Sequence, residues 1–151
     1  KENEINQVLE SDLLPDIIQL PMNILDTRLY RNGVLEKICT RNIDIHVRSV
    51  FLQGLFYLDE FELRSRFPDV VPHINKLQHI AEEANMTIAE LSLIWLINLE
   101  QIDKVIIGVD NVEQLKAHLK IISKNVDCSI IREALKVKYE NESILNPSLW
   151  Q

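Results

Sequence analysis

The sequence is poor in the features that several large classes of function depend on. Among its 151 residues there are two cysteines. Cys39 and Cys128 lie far apart, without the paired spacing of a zinc site or a thioredoxin-like redox motif, so no metal site is expected and a reduced, cytoplasmic protein is. Basic residues are outnumbered: 16 Lys and Arg against 23 Asp and Glu leave a net charge of −7 and a pI near 5.1. Such a surface keeps a domain soluble and repels the phosphate backbone that a nucleic-acid partner presents. No apolar run reaches the roughly 20 residues that span a bilayer. The longest, Leu91 to Leu99, is broken by Ser92 and Asn98, so no membrane partner is expected. The patterns GxxxxGK[ST], HExxH and GxSxG are absent, and the acidic residues are scattered along helix faces, which leaves no self-contained catalytic constellation. His46 and His73 have no credible triad around them and read as structural. The sequence opens at Lys1 on a polar, helix-like segment, without an initiator Met or the apolar core of a secretory signal. It is expected to continue a longer chain.

What is present suits a globular protein, with 46% hydrophobic residues and length enough for one unit with a real core, here taken as residues 1–151. Ile5, Val8 and Leu9 share one face of a helix over residues 2–11, which Pro15 prevents from continuing. The apolar run Ile17 to Leu20, closed by Pro21, suits a strand covered on both faces, as in parallel sheets. A helix over Val34 to Thr40 stops at Arg41-Asn42, and a second strand runs from Ile43 to Val47. Arg48 to Pro68 is irregular and reads as one long loop. The stripe Val71, Ile74, Leu77, Ile80, Ala81 and Ala84 predicts a helix ending at Asn85. Thr87 and Glu90 then have the spacing of a capping box ahead of a buried helix. A third strand, Lys104 to Ile107, ends in Gly108. Asn111 with Gln114 resembles a further capping box, opening a helix whose inward stripe is Val112, Leu115, Leu119 and Ile122 and whose solvated side carries Lys116, Lys120 and Lys124. A last helix from about Ser129 to Tyr139 and a tail from Leu145 to Trp150 complete the chain, which has no internal repeat. Strands separated by helices imply an α/β fold with a parallel sheet, and three strands alone leave sheet edges that something must pair.

In parallel sheets ligands gather at the carboxyl ends of strands. The segments that qualify are Gln19 to Asn23, Arg48 to Gly54, and Gly108 to Asn111, all expected on one rim. In the last, a strand ends in glycine and a helix follows at once, so free backbone donors and the helix dipole suit an anion such as phosphate. Gln114 and His118, four residues apart, share a face from which both reach a nucleotide lying across the first turns. Each residue also has a plainer reading: Gln114 as a cap, His118 as a half-exposed surface histidine, Gly108 as a tight turn. Arg48 either snorkels to solvent or presents its planar guanidinium to a flat or anionic ligand, and Gln19 needs a hydrogen-bond partner if buried.

Taken in order, IIQLPMNILDTR, IDIHVRSVFLQGL, IAEEANMTIAELSLIWL and IDKVIIGVDNVEQL resemble the aldo-keto reductases over nearly the whole chain. The resemblance implies an α/β fold that is the C-terminal portion of a (β/α)8 TIM barrel, its three strands being the sixth, seventh and eighth, with the tail ILNPSLW packed over the outside. It implies a cofactor, NADP or alternatively NAD, from which hydride passes to a small-molecule aldehyde or ketone. Carried over, Gln19 bonds the nicotinamide carboxamide and Arg48 stacks on its ring, where most relatives have an aromatic. Ser49, Val50, Phe51 and Gln53 resemble the loop over the pyrophosphate; Gly108, Val109, Gln114 and His118 resemble the adenosine end. His118 stands where Asn is common, and the basic residues that usually grip a 2′-phosphate are missing, with Asp110 set to repel it. The family's tetrad of Asp, Tyr, Lys and His has no matching position here, so no catalytic residue is assigned and the chain alone is expected to reduce no carbonyl. The alternative is a non-catalytic half-barrel that binds nucleotide or a partner chain through its sheet edges, and in either case the isolated piece is expected to self-associate or rearrange its sheet.

Overall fold

In the computed structural model, which describes residues 2–150, three strands form one parallel sheet in the order β1 (Ile17–Pro21), β2 (Asp44–Arg48) and β3 (Lys104–Val105). Gln19 lies opposite His46, Pro21 opposite Arg48, and His46 opposite Lys104. The common direction brings the loops leaving all three strands to one rim. Side chains alternate across a strand: Leu20, Ile45 and Val47 are buried, whereas Ile17, Gln19, Arg48 and Lys104, on the other face, are exposed. The expectation of a first strand covered on both faces is thus corrected, since among the described residues the helices cover one face.

The helices in chain order are α1 (Glu2–Leu9), α2 (Arg28–Arg31), α3 (Val34–Cys39), α4 (Glu60–Arg66), α5 (Val71–Glu83), α6 (Ile88–Ile97), α7 (Val112–Ile122), α8 (Cys128–Ala134) and α9 (Glu142–Leu145). The core runs between the sheet and α3 and α6, with α5 packed on α6 and α8. Val71, Ile74, Leu77, Ile80 and Ala81 of α5 are buried, as their spacing predicts. α6 is apolar on nearly every side and buries Leu91, Leu93, Ile94, Trp95 and Leu96, so truncating a residue such as Leu93 to Ala should cost about 2–5 kcal/mol. Its start is the predicted capping box: Thr87 Oγ1 accepts from the Glu90 amide at 3.2 Å and Glu90 Oε2 from the Thr87 amide at 2.8 Å. Asn42 (φ 56°) and Asn85 (φ 53°), predicted as helix stops, adopt the left-handed conformation that ends helices.

Elsewhere the structure departs from expectation. The long loop contains a 3-10 segment, Leu52–Tyr57, and α4, which is capped by Asp59 through the Glu62 amide at 2.8 Å. Two turns burying only Leu63 leave no readable stripe. β3 ends at Val105, although the Ile106 amide still donates to the Val47 carbonyl at 2.7 Å. The last predicted helix stops at Ala134, and Val137 and Tyr139 are buried beyond it, either side of exposed Lys138, in a segment without regular secondary structure. The tail forms α9 and a 3-10 turn, and Trp150 packs on Phe67 with ring centroids 4.7 Å apart.

The largest correction concerns α7. Val112, Leu115, Leu119 and Ile122, expected inward, are 59%, 41%, 58% and 52% exposed, while His118 and Ile121 are the buried residues. α7 rests on α6 through a neighbouring face, and none of the described residues covers the apolar stripe.

Candidate functional site

β2 carries Arg48 at its exposed carboxyl end, and the chain then turns through an unusual loop. Ser49 (φ 62°), Leu52 (φ 46°) and Gln53 (φ 52°) are left-handed, followed by Gly54 (φ 85°). Left-handed conformations cost non-glycine residues about 1–3 kcal/mol each and persist only where the surroundings over-determine them. Here they do. Val50 and Leu52 are buried; Asn23 Nδ2 donates to the Ser49 carbonyl at 3.3 Å, and Ser92 Oγ to the Val50 carbonyl at 2.8 Å. Ser92 Oγ also accepts from the Ile24 amide at 3.1 Å, and Asn23 Oδ1 accepts from the amides of Leu25 and Asp26. One hydroxyl on α6 therefore joins the loop after β1 to the loop after β2. The sequence reading missed both roles; the signal available was a polar residue inside an otherwise apolar stretch, since a buried hydroxyl must find partners.

The second wall is the entry to α7. Asn111 Oδ1 accepts from the Gln114 amide at 2.8 Å, which is half of the predicted box. The other half is displaced by one residue: Gln114 Oε1 accepts from the amide of Asp110, at 2.8 Å, rather than that of Asn111, and Gln114 Nε2 approaches Asp110 Oδ2 at 3.4 Å. One turn on, His118 is 6% exposed, not the half-exposed surface histidine of the plainer reading. Its ring stacks on Phe51, with centroids 4.9 Å apart and planes at 26°, and Tyr57 meets the same Phe51 edge-on at 5.6 Å.

These two walls enclose a cavity of about 830 Å³, within the usual range for small-molecule and cofactor sites. Arg48, Ser49, Val50, Phe51 and Gln53 line it from the β2 side, and Gly108, Val109, Gln114 and His118 from the α7 side. Gln19 does not line it. It stands on β1 opposite His46, on the exposed sheet face that also carries Arg48. Asp110, from the predicted rim segment, lines it too, and among the further lining residues Tyr57, Thr87, Glu90, Ala117 and Ile121 were not singled out from sequence as cavity residues, because their convergence depends on packing rather than spacing.

Charge is unevenly placed. Arg48 Nη1 donates to Ser49 Oγ at 3.0 Å, and among the described residues lining the cavity it is the one Arg or Lys. Glu90 is tied to Lys124 at 2.8 Å. Burial pushes the Glu90 carboxyl up, but the Lys124 ammonium and the Thr87 amide outweigh it and hold the group below its ordinary range. Burial, with Glu90 nearby, pushes the Tyr57 phenol up.

Among the described residues no three His, Cys, Asp or Glu side chains are grouped to hold an ion, and His118 Nδ1 is buried without a hydrogen-bond partner. No described helix is long and apolar enough to cross a membrane.

Residues 3–135 match the sequence profile of the aldo/keto reductase family. No curated protein matches the chain. Among solved structures, the chain is similar to a thermostable aldo-keto reductase determined in complex with the inhibitor epalrestat, at a TM-score of 0.63 and 20% identity, over 87% of this chain and 43% of that one. The fold is thus part of a (β/α)8 barrel, and the chain spans less than half the length of that relative.

Proposed function

The chain belongs to the aldo/keto reductase family, and from that premise we propose that it supplies the C-terminal, cofactor-holding part of a barrel oxidoreductase that reduces aldehydes or ketones with NAD(P)H. The supporting observation is the convergence of Arg48, Ser49, Phe51, Gly108, Gln114 and His118 on one cavity at the carboxyl ends of parallel strands. When bound, the dinucleotide supplies hydride. Arg48 and, from the adjacent strand, Gln19 orient the nicotinamide; the braced loop from Ser49 to Gln53 covers the pyrophosphate; Gly108, Val109, Gln114 and His118 hold the adenosine.

No position in this chain answers to the Asp, Tyr, Lys and His tetrad of the family, so carbonyl protonation falls to residues outside it. The expected result is that the 151-residue chain binds dinucleotide yet oxidises no NAD(P)H when offered a panel of aldehydes. A decisive variant is Ala117→Trp, at an exposed position lining the cavity. It should weaken dinucleotide affinity at least tenfold, read by nicotinamide fluorescence, with unchanged circular dichroism. Full affinity in that variant would place the nucleotide elsewhere.

A second reading, a half-barrel that serves as an interaction module without catalysis, is favoured by one observation: the apolar stripe of α7 and the outer edges of β1 and β3 are uncovered among the described residues. On either reading, the piece alone self-associates.

A further inference from the structure

We propose that Asp110 makes this cavity select the dinucleotide without a 2′-phosphate, NADH over NADPH, against the expectation carried by the family resemblance. The proposal rests on the cofactor reading above and concerns the adenosine end of the same site. That end is marked by the stacked rings of His118 and Phe51, both in the cavity wall, as an apolar, aromatic seat for a heteroaromatic base. A nucleoside whose base sits there and whose pyrophosphate runs beneath Ser49 to Gln53 places its ribose beside the turn from Gly108 to Asp110, at the entry to α7.

The charge around that ribose is negative. Asp110 lines the cavity, and Gln114 brackets it, accepting from its amide at 2.8 Å and approaching its Oδ2 at 3.4 Å. A carboxylate held there accepts a hydrogen bond from a ribose 2′-hydroxyl, as acidic residues do in other dinucleotide sites. A 2′-phosphate would bring a further charge of about −1.5 to −2 against it. Among the described residues lining the cavity, Arg48 is the one Arg or Lys. Lys124 is held by Glu90 at 2.8 Å, and Arg48 belongs to the opposite wall, at the end of β2. The helix dipole of α7 offsets part of the repulsion but is felt equally by any anion at its first turn.

Titrating the protein at its full natural length with NADH and with NADPH, by nicotinamide fluorescence at low salt, should show NADH bound about tenfold more tightly or better, as expected for repulsion at partly screened contact range. Because Asp110 is exposed, Asp110→Asn removes charge with little change of shape. It should bring the ratio within about threefold, and salt near 0.5 M should compress the wild-type ratio in the same direction. Equal or tighter NADPH binding in the wild type, or a ratio unmoved by Asp110→Asn, overturns the selectivity while leaving the cofactor site standing. Binding of neither dinucleotide overturns the cofactor reading and the selectivity with it.

Discussion

Ser92 has no solvent exposure, and its hydroxyl satisfies a carbonyl in one loop and an amide in another. Ser92→Ala leaves the Ile24 amide and the Val50 carbonyl buried without their partner, at about 1–3 kcal/mol for each unsatisfied group. Chemical denaturation should show that loss, and NADH affinity should fall with it because the left-handed turn after Arg48 loses its brace. A variant with wild-type stability would mean that water replaces the hydroxyl. Glu90 yields a pH-dependent expectation. Its carboxyl is held below the ordinary range, so it adds stability that is present above the unfolded-state value and drains away as pH falls through the lower folded value, from about pH 4 downward. Glu90→Gln should cost about 0.5–1 kcal/mol at neutral pH, since its partner Lys124 is 39% exposed and the pair is screened, and it should flatten part of the acid limb of the stability curve. An acid limb identical to wild type would remove Glu90 from that role.

Among the elements, those with a long uninterrupted period were legible and those decided by surroundings were not. α5 and α6 announce themselves through the stripe from Val71 to Ala81 and the Thr87 capping box, both of which act within a few residues of themselves. α4 hides because two turns with one buried leucine have no period to detect; its Asp59 cap and the Glu60–Arg64 pair at 2.6 Å were the available signals. α8 was drawn too long because Val137 and Tyr139, separated by Lys138, were read in a helical frame although they alternate. The stripe of α7 was found correctly in sequence and given the wrong direction, since periodicity identifies a face but not what lies against it. In the site, each residue given a cofactor contact lines the cavity except Gln19, and with it the whole segment after β1, from Gln19 to Asn23, stands outside the wall. At the carboxyl end, Arg28 grips Asp26 at 2.7 Å and Glu142 at 2.7 Å, tying α9 to the loop after β1. Arg28→Ala should loosen the tail, seen as faster proteolytic trimming after Tyr139, at about 1–2 kcal/mol because two partly buried carboxylates lose their common partner. Unchanged trimming would show that Trp150 on Phe67 holds the tail unaided.

At the scale of the whole molecule, the parallel sheet leaves, among the described residues, two edges unpaired and one face open, an arrangement that favours pairing with another chain. The 151-residue chain should therefore sediment as dimers or larger species in a concentration-dependent way. Leu115→Glu with Leu119→Glu, on the exposed stripe of α7, should shift it towards monomer; a wild-type monomer that unfolds cooperatively would refute the expectation. Ser92 and Asn23 have a wider consequence, because the side-chain hydrogen bonds that brace the turn after Arg48 both come from the stretch between residues 23 and 92. The braced turn travels with its own scaffolding, so foreign front strands spliced ahead of Ile17 would inherit it ready-made, and new chemistry could be auditioned beside a loop that need not be rebuilt.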